Sequence, residues 1–465
     1  MNLPADFVER TRRLMGEKEC EALCAALCGE APVSIRMNAA KWSGKPLDAA
    51  PVSWCKEGWY LAARPAFTFD PLFHAGCYYV QEASSMFVEQ VFRQYVDSPV
   101  TVLDLCAAPG GKSTLARAVL PEGSLLVANE VVRPRSQVLA ENLIKWGHPS
   151  VVVTNNNPAD FAALGPAFDV ILADVPCSGE GMFRKDEGAV AEWSVDNVDV
   201  CWQRQRRILH DIWGCLKPGG LLVYSTCTFN REENEDNVAW ISRELGAEPL
   251  SVQVDADWMI EGNLVESGLP VYRFLPHRVK GEGFFLAALR KTGEDTCLPA
   301  FKPGKKKRPT DKKQAVPFPK SLREWVKQDE EYVFTVGDGK AKAFPARHND
   351  FYTSLQSALH VLHGGIMLAE QKGKDWIPAH PLAMSTALSP DAFPVVELEY
   401  EQAVAYLRKE AIALDASAPK GYVLLAYRNR MLGFAKNVGN RANNLYPQEW
   451  RIRSGYLPED FKPVL

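Results

Sequence analysis

From residue 101 to residue 289 the chain alternates short apolar runs with amphipathic stretches, the runs falling at 101–105, 125–129, 151–154, 170–173, 221–225 and 284–289. Runs this short and this continuously apolar belong to strands covered on both faces, and helices spaced between them supply the cover. The pattern predicts an α/β domain over residues 96–292, a doubly wound Rossmann-like parallel sheet whose edge can accept a late hairpin-like strand.

At 465 residues and 46% hydrophobic content the chain exceeds a single core, which rarely grows past roughly 250–300 residues. Residues 1–95 combine a helical stretch (6–28), an extended piece (32–38) and an aromatic-rich segment ending Tyr78-Tyr79-Val80-Gln81, which reads as a small N-terminal α+β unit. Residues 293–318 hold Phe301-Lys-Pro-Gly-Lys-Lys-Lys-Arg-Pro309, too polar and Pro-broken to pack, and read as a basic linker. Residues 319–465 read as a further α+β extension, with strands at 332–336, 365–370 and 421–435 and a helix at 401–412. Its end interleaves Arg428, Arg430, Lys436, Arg441, Arg451 and Arg453 with Tyr427, Phe434, Tyr446 and Trp450. RNA-binding surfaces are built from such cations and rings; an ordinary solvated sheet face is the competing reading.

The eleven cysteines are scattered and include no C-x-x-C pair, so neither a disulfide framework nor a ribbon-type zinc site is expected and no metal is assigned. Cys20, Cys24 and Cys28 recur at helical spacing and are expected as a buried stripe. A net charge of −4 excludes a protein that coats nucleic acid indiscriminately, leaving local basic patches to hold any RNA. No apolar run reaches the roughly 20 residues of a membrane span, and the first residues lack the apolar centre of a signal peptide, so a cytoplasmic protein is expected, and a monomer is expected beside it.

Leu103-Asp104-Leu105-Cys106-Ala107-Ala108-Pro109-Gly110-Gly111-Lys112-Ser113-Thr114 puts a glycine turn between an apolar run and a helix. Such a turn lets backbone N–H groups approach a ligand at a helix N-terminus. Gly111-Lys112-Ser113 copies the end of a phosphate-binding loop, but Cys106 stands where that motif needs glycine. One strand later, Val127-Ala128-Asn129-Glu130 ends in a carboxylate, which in doubly wound folds grips a ribose diol. The G-x-G-x-x-G of nicotinamide sites is absent here, so S-adenosylmethionine is the expected cofactor, held by residues 106–112 and Glu130.

The fourth and fifth runs end in Leu172-Ala173-Asp174-Val175-Pro176-Cys177-Ser178-Gly179-Glu180-Gly181 and in Tyr224-Ser225-Thr226-Cys227-Thr228. Because ligands of open α/β sheets sit at the carboxyl ends of strands, Asp174, Cys177 and Cys227 are expected to converge beside the cofactor. For a single cysteine the bland reading, a small buried hydrophobe, wins; two in Pro/Gly/Thr-rich strand-end loops shift the balance toward chemistry. Carbon 5 of cytosine is too poor a nucleophile to attack a methyl sulfonium unaided, so a thiolate must first add at carbon 6. Asp174, protonated or sharing a proton, would then hydrogen-bond ring nitrogen 3 and steady the charge formed, and a second thiol would help remove the carbon 5 proton.

Cys106-Ala-Ala-Pro-Gly-Gly-Lys112, Asp174-Val-Pro-Cys-Ser-Gly179 and Ser225-Thr-Cys-Thr228 resemble, in order and spacing, the motifs of the Sun-type RNA (cytosine-5) methyltransferases. Ser34-Ile-Arg-Met-Asn38, Gln81-Glu-Ala-Ser-Ser-Met86, Gly179-Glu-Gly-Met-Phe-Arg-Lys-Asp186, Arg273-Phe-Leu-Pro-His277 and Gly283-Phe284 are also similar to family segments. The resemblance implies Cys227 as nucleophile, Cys177 in product release, Asp174 between cofactor and base, and Cys106, Ala107, Ala108, Pro109, Gly110, Gly111, Lys112 and Glu130 at the cofactor. Asn157 stands where the family usually has an Asp receiving the adenine amino group; its side-chain oxygen can accept the same bond, and Asp160 is the other candidate. The extension with Asn444-Leu-Tyr-Pro447 is similar to the RsmF-like bacterial branch, whose last module resembles a PUA RNA-binding domain, implying small-subunit (16S) ribosomal RNA as partner. Two competing readings are a DNA cytosine methyltransferase, with the proline-cysteine thiol as nucleophile, and an RNA-binding assembly factor without turnover.

Overall fold

The computed structural model describes residues 3–265, 268–293, 318–455 and 461–465; the basic run expected as a linker lies outside them. The N-terminal helical stretch divides into Ala5–Met15 and Glu17–Leu27 because Gly16, at φ +85°, takes a conformation that only glycine adopts freely. Of the expected cysteine stripe, Cys20 is buried and Cys28 exposed, since the second helix covers its partner with one narrow face. An antiparallel sheet follows, in the order Ala49–Pro51, Gly58–Leu61, Val33–Met37, Tyr78–Val80.

The central sheet contains β1 (Thr101–Asp104), β2 (Leu125–Asn129), β3 (Val151–Thr154), β4 (Phe168–Asp174), β5 (Leu216–Thr226), β6 (Ala247–Leu250), β7 (Tyr272–Phe274), β8 (Phe284–Lys291) and β9 (Val361–Gly364). Their order is β6-β8-β5-β4-β1-β2-β3-β9, with β7 also on β8. β1 to β5 are mutually parallel, β8 returns antiparallel along β5, and the chain reverses direction of winding between β1 and β4. This is a Rossmann-like core with its ligand crevice outside the carboxyl ends of β1 and β4.

Alternate strand residues serve the two faces. Val102, Leu126, Val153, Val170 and Val223 pack with Leu115, Leu139 and Leu143 of helices Gly111–Val119 and Arg133–Trp146. Leu103, Val127, Val152, Ile171 and Leu222 pack with Ile208, Leu209, Ile212 and Ile241 of helices Val195–Trp213 and Glu235–Glu244.

β9 comes from beyond the 96–292 segment. It runs antiparallel to β3, pairing Val361 with Thr154 and Gly364 with Val152, and helix Asn349–Ala358 adds Tyr352 and Leu355 to the core beneath it. The extension thus covers a sheet edge that would otherwise present unpaired backbone groups. It also builds two four-stranded sheets of its own, over 332–378 and 395–444. The run 421–435 is a hairpin, Gly421–Tyr427 and Arg430–Asn437, turned by Arg428 and Asn429 at φ +51° and +60°. The helix expected over 401–412 is shorter, Tyr400–Leu407.

The basic-aromatic surface is corrected in part. Phe434 and Tyr446 lie in the core, where Tyr446 joins Val404, Leu407 and Val423 against Ile35, Met37, Leu72 and Tyr78 of the N-terminal unit. Strand alternation and the docking of one unit on the other turned these rings inward. Arg428 and Arg430 both lie over the Trp42 ring at 5.3 Å, while Arg441 and Arg453 remain exposed. Among the described residues no helix is long and apolar enough to cross a membrane.

Candidate active site

β1, β2 and β4 each deliver a carboxylate to the crevice. Asp104 is fully buried; its Oδ2 accepts from Ser113 Oγ at 2.6 Å, and its Oδ1 finds no hydrogen-bond partner among the described residues. Burial, reinforced by Asp174 and Glu130, pushes Asp104 up to about 7. Glu130, 3% exposed, accepts from Val132 N–H at 2.9 Å and lies 3.6 Å from Arg135 Nη1. Between them runs the loop 106–110, where Gly110 at φ +114° opens helix Gly111–Val119 and Arg135 Nη2 donates to Ala108 O at 2.9 Å. A buried, partly unsatisfied acidic pocket at a glycine turn fits a ligand carrying positive charge.

Sequence reasoning missed what supports this loop. Arg36, almost fully buried, donates through Nη2 to Thr114 Oγ1 at 2.6 Å and to Gly111 O at 3.2 Å, and through Nε to Gln81 Oε1 at 2.9 Å. The N-terminal sheet is therefore a wall of the site. Asn129 ties the strand ends together, donating to Leu105 O and Asn156 O and accepting from Thr154 Oγ1. Asn157 and Asp160 are exposed and form a capping box on the turn Pro158–Leu164, with Asp160 Oδ2 accepting Asn157 N–H at 2.9 Å.

Asp174, Cys177 and Cys227 converge. Asp174 Oδ2 accepts from Lys112 Nζ at 2.8 Å and Oδ1 from Ser225 Oγ at 2.7 Å, joining the 106–112 loop to β5. Burial disfavours the Lys112 ammonium, but Asp174 outweighs it and the lysine is held above its ordinary range. The Cys177 and Cys227 sulfurs are 2.8 Å apart, well beyond the ~2.05 Å of a disulfide, and Cys227 N–H donates to Cys177 Sγ at 3.3 Å. The Cys227 sulfur and burial together raise Cys177 well above a thiol's usual range.

The loops bearing the cysteines are packed without slack. A Cβ on Gly181 would lie 2.8 Å from Cys227 O. Arg273 donates to Phe229 O at 2.7 Å and forms a buried ion pair with Glu235, which explains the Arg273 segment noted in the sequence. Glu180 and Glu233, both buried, also bridge the loops; burial pushes Glu233 up to about 7. Beside the site, between the N-terminal sheet and the segment after Cys177, opens a cleft of about 930 Å³ lined by Arg64, Gln81, Arg184, Lys185 and Lys280.

A family model described as 16S rRNA methyltransferase RsmB/F matches residues 96–290; the N-terminal domain of 16S rRNA methyltransferase RsmF matches 3–83, and the RsmF PUA domain matches 393–452. The ribosomal RNA small subunit methyltransferase F of Pectobacterium atrosepticum is 32% identical over 98% of this chain and 96% of its own. That of Escherichia coli K12 is 32% identical over 88% and 85%. Among solved structures, a methyltransferase homolog protein from Pyrococcus horikoshii is 29% identical, covering 61% of this chain and 94% of its own with a TM-score of 0.53. NSun6 from Pyrococcus horikoshii, 21% identical over 63% and 99% with a TM-score of 0.53, shares the fold. Three consecutive family matches and near full-length identity to these relatives place the chain in the ribosomal RNA small subunit methyltransferase F family.

Proposed function

We propose that this protein methylates carbon 5 of a cytosine in small-subunit ribosomal RNA, with Cys227 as covalent nucleophile. The observation that carries the reading is the pair of thiols, 2.8 Å apart, beside the Asp174–Lys112 pair at the strand ends. S-adenosylmethionine, when bound, supplies an electrophilic methyl group. Asp104, Glu130 and the loop 106–112 would hold it, the three carboxylates of the crevice suiting its positive charges.

The chain's own residues account for the remaining steps. Cys227 Sγ bonds to carbon 6 of the ring, pushing the carbon 5–carbon 6 electron pair toward carbon 5. Lys112 donates to ring nitrogen 3 and Asp174 accepts from the exocyclic amine, a donor–acceptor pair matching the cytosine edge. The donor is thus Lys112, and Asp174, which already accepts two bonds, need not be protonated. With the Cys227 sulfur committed to carbon 6, Cys177 gives its thiol proton to solvent and becomes the base. Cys177 then takes the carbon 5 proton, the carbon 6–sulfur bond breaks, and Cys227 leaves as thiolate. A DNA-type mechanism would need Cys177 as nucleophile, a thiol that its neighbour and burial hold protonated.

In this reading residues 1–95 recognise RNA, 96–292 carry the chemistry, 293–318 tether, and 319–465 end in the RNA-binding module of a cytoplasmic monomer. The strand beside the target base lies in the cleft of Arg64, Lys185 and Lys280. Bisulfite maps of 16S rRNA from cells with and without the protein should differ at one or more cytosines, and Cys227→Ala should abolish the difference. Identical maps would reject the reading.

A further inference from the structure

The two cysteine loops hold each other through exchanged carboxylates. Glu180 lies three residues after Cys177, yet its Oε2 accepts the backbone N–H groups of Phe229 (2.7 Å) and Asn230 (3.0 Å), on the loop of Cys227. Glu233 lies six residues after Cys227, yet its Oε2 accepts the backbone N–H of Ser178 (3.0 Å), next to Cys177, and Gln205 Nε2 (2.6 Å). Gln205 donates as well to Pro176 O at 3.0 Å, so the Cys177 loop is gripped on both sides of the thiol. Asn230 Nδ2 donates to Glu233 Oε1 at 2.7 Å, and Trp193 Nε1 to Glu180 Oε1 at 3.0 Å.

Both carboxylates are at most 2% exposed, and their partners are N–H donors. Two like charges buried close together raise one another's cost, and a core built only for stability would be as well served by apolar groups. What the anions supply is direction: their bonds to the backbone N–H groups of Phe229 and Asn230 and of Ser178 fix the chain beside one particular sulfur each.

We propose that Glu180 and Glu233 are positioning residues with opposite duties, Glu180 aligning Cys227 for attack on carbon 6 and Glu233 aligning Cys177 for removal of the carbon 5 proton. The assignment rests on the covalent reading above. The balance is that of the cycle already described: no oxidant enters, the Cys227 and Cys177 thiol protons go to solvent before each acts, and the carbon 5 proton goes to Cys177.

The test uses full-length protein and small ribosomal subunits from cells lacking it, scoring methylated product and the protein–RNA adduct that survives a denaturing gel. A Gln in place of either Glu turns an N–H toward an N–H donor, removing a charge-assisted bond whose loss corresponds to about tenfold or more in rate. Glu233→Gln should lower turnover and raise the trapped adduct, as Cys177→Ala does. Glu180→Gln, placed in a Cys177→Ala background where adduct accumulates, should slow adduct formation about tenfold, whereas Glu233→Gln in that background should leave it unchanged. If either Gln variant fails to fold by its melting curve, Glu180→Asp and Glu233→Asp should shift adduct in the same opposite directions. A merely structural role would move both variants the same way, and that result, or no shift in either, overturns the proposal while leaving the covalent reading intact. If Cys177→Ala itself traps nothing, the covalent reading falls and takes the exchange of carboxylates with it.

Discussion

Replacing Glu130 by Ala tests the cofactor site where the structure separates binding from folding best. Its carboxylate makes one backbone bond, to Val132 N–H at 2.9 Å, and a loose 3.6 Å contact with Arg135. Arg135 is 57% exposed, so the ion pair contributes next to nothing after screening. Val132 sits half in solvent at the start of helix Arg133–Trp146, so loss of this one hydrogen bond costs about 1 kcal/mol. Against this, a charged acceptor on a ribose diol contributes about 1.5–3 kcal/mol, or roughly 10- to 150-fold in affinity. Calorimetric titration with S-adenosylmethionine should therefore show a weakening in that range while the melting temperature barely moves. Glu130→Gln, which keeps an acceptor and loses the charge, should fall between the two. A folded Glu130→Ala protein binding within twofold of the original would refute the argument.

Cys227→Ala should abolish product and adduct together, whereas Cys177→Ala should leave methylated RNA bonded to protein; adduct in the first and none in the second would reverse the assignment. Arg273→Met strands Glu235 in a site where both side chains are 1% exposed, and should cost about 3–5 kcal/mol in denaturant unfolding; a loss under 1 kcal/mol would contradict the buried pair. Asp104, raised from 3.8 to about 7, keeps its proton in the folded state where the unfolded chain has released it, so its contribution to stability declines as pH rises between about 4 and 7. Asp104→Asn should flatten the fall in melting temperature over that window, and an unchanged slope would count against the shift. Arg441→Ala with Arg453→Ala should weaken RNA binding and make its salt dependence shallower by roughly 1.4–1.8 units of slope without touching cofactor affinity; an unchanged slope would remove the tail's exposed cations from the RNA interface.

The central strands and the motifs at their ends were readable locally, because a strand covered on both faces needs a continuous apolar run and a glycine turn or a Pro-Cys loop is a contiguous string. β2 and β3 fall on the residues expected, and Asp174, Cys177 and Cys227 come together because parallel strands place all their carboxyl ends on one edge. Long-range packing decided the rest. Nothing in Val361–Gly364 announces that it will complete a sheet beside Val151–Thr154, since the partner two hundred residues away sets that pairing and no local period records it. The 421–435 hairpin turns on Arg428 and Asn429 rather than on a glycine pair, so its turn left no signal. Phe434 and Tyr446 looked like stacking rings, but Phe434 packs on the extension's own first sheet and Tyr446 against the N-terminal unit. Glu180 and Glu233 drew no role from the sequence because a carboxylate's meaning depends on which N–H groups surround it, and here those belong to the opposite loop. The sequence by itself determined which atoms are available for chemistry and on which edge of the sheet they stand; the tertiary structure alone decided their spacing and proton sharing, which depend on distances between segments that only folding brings together.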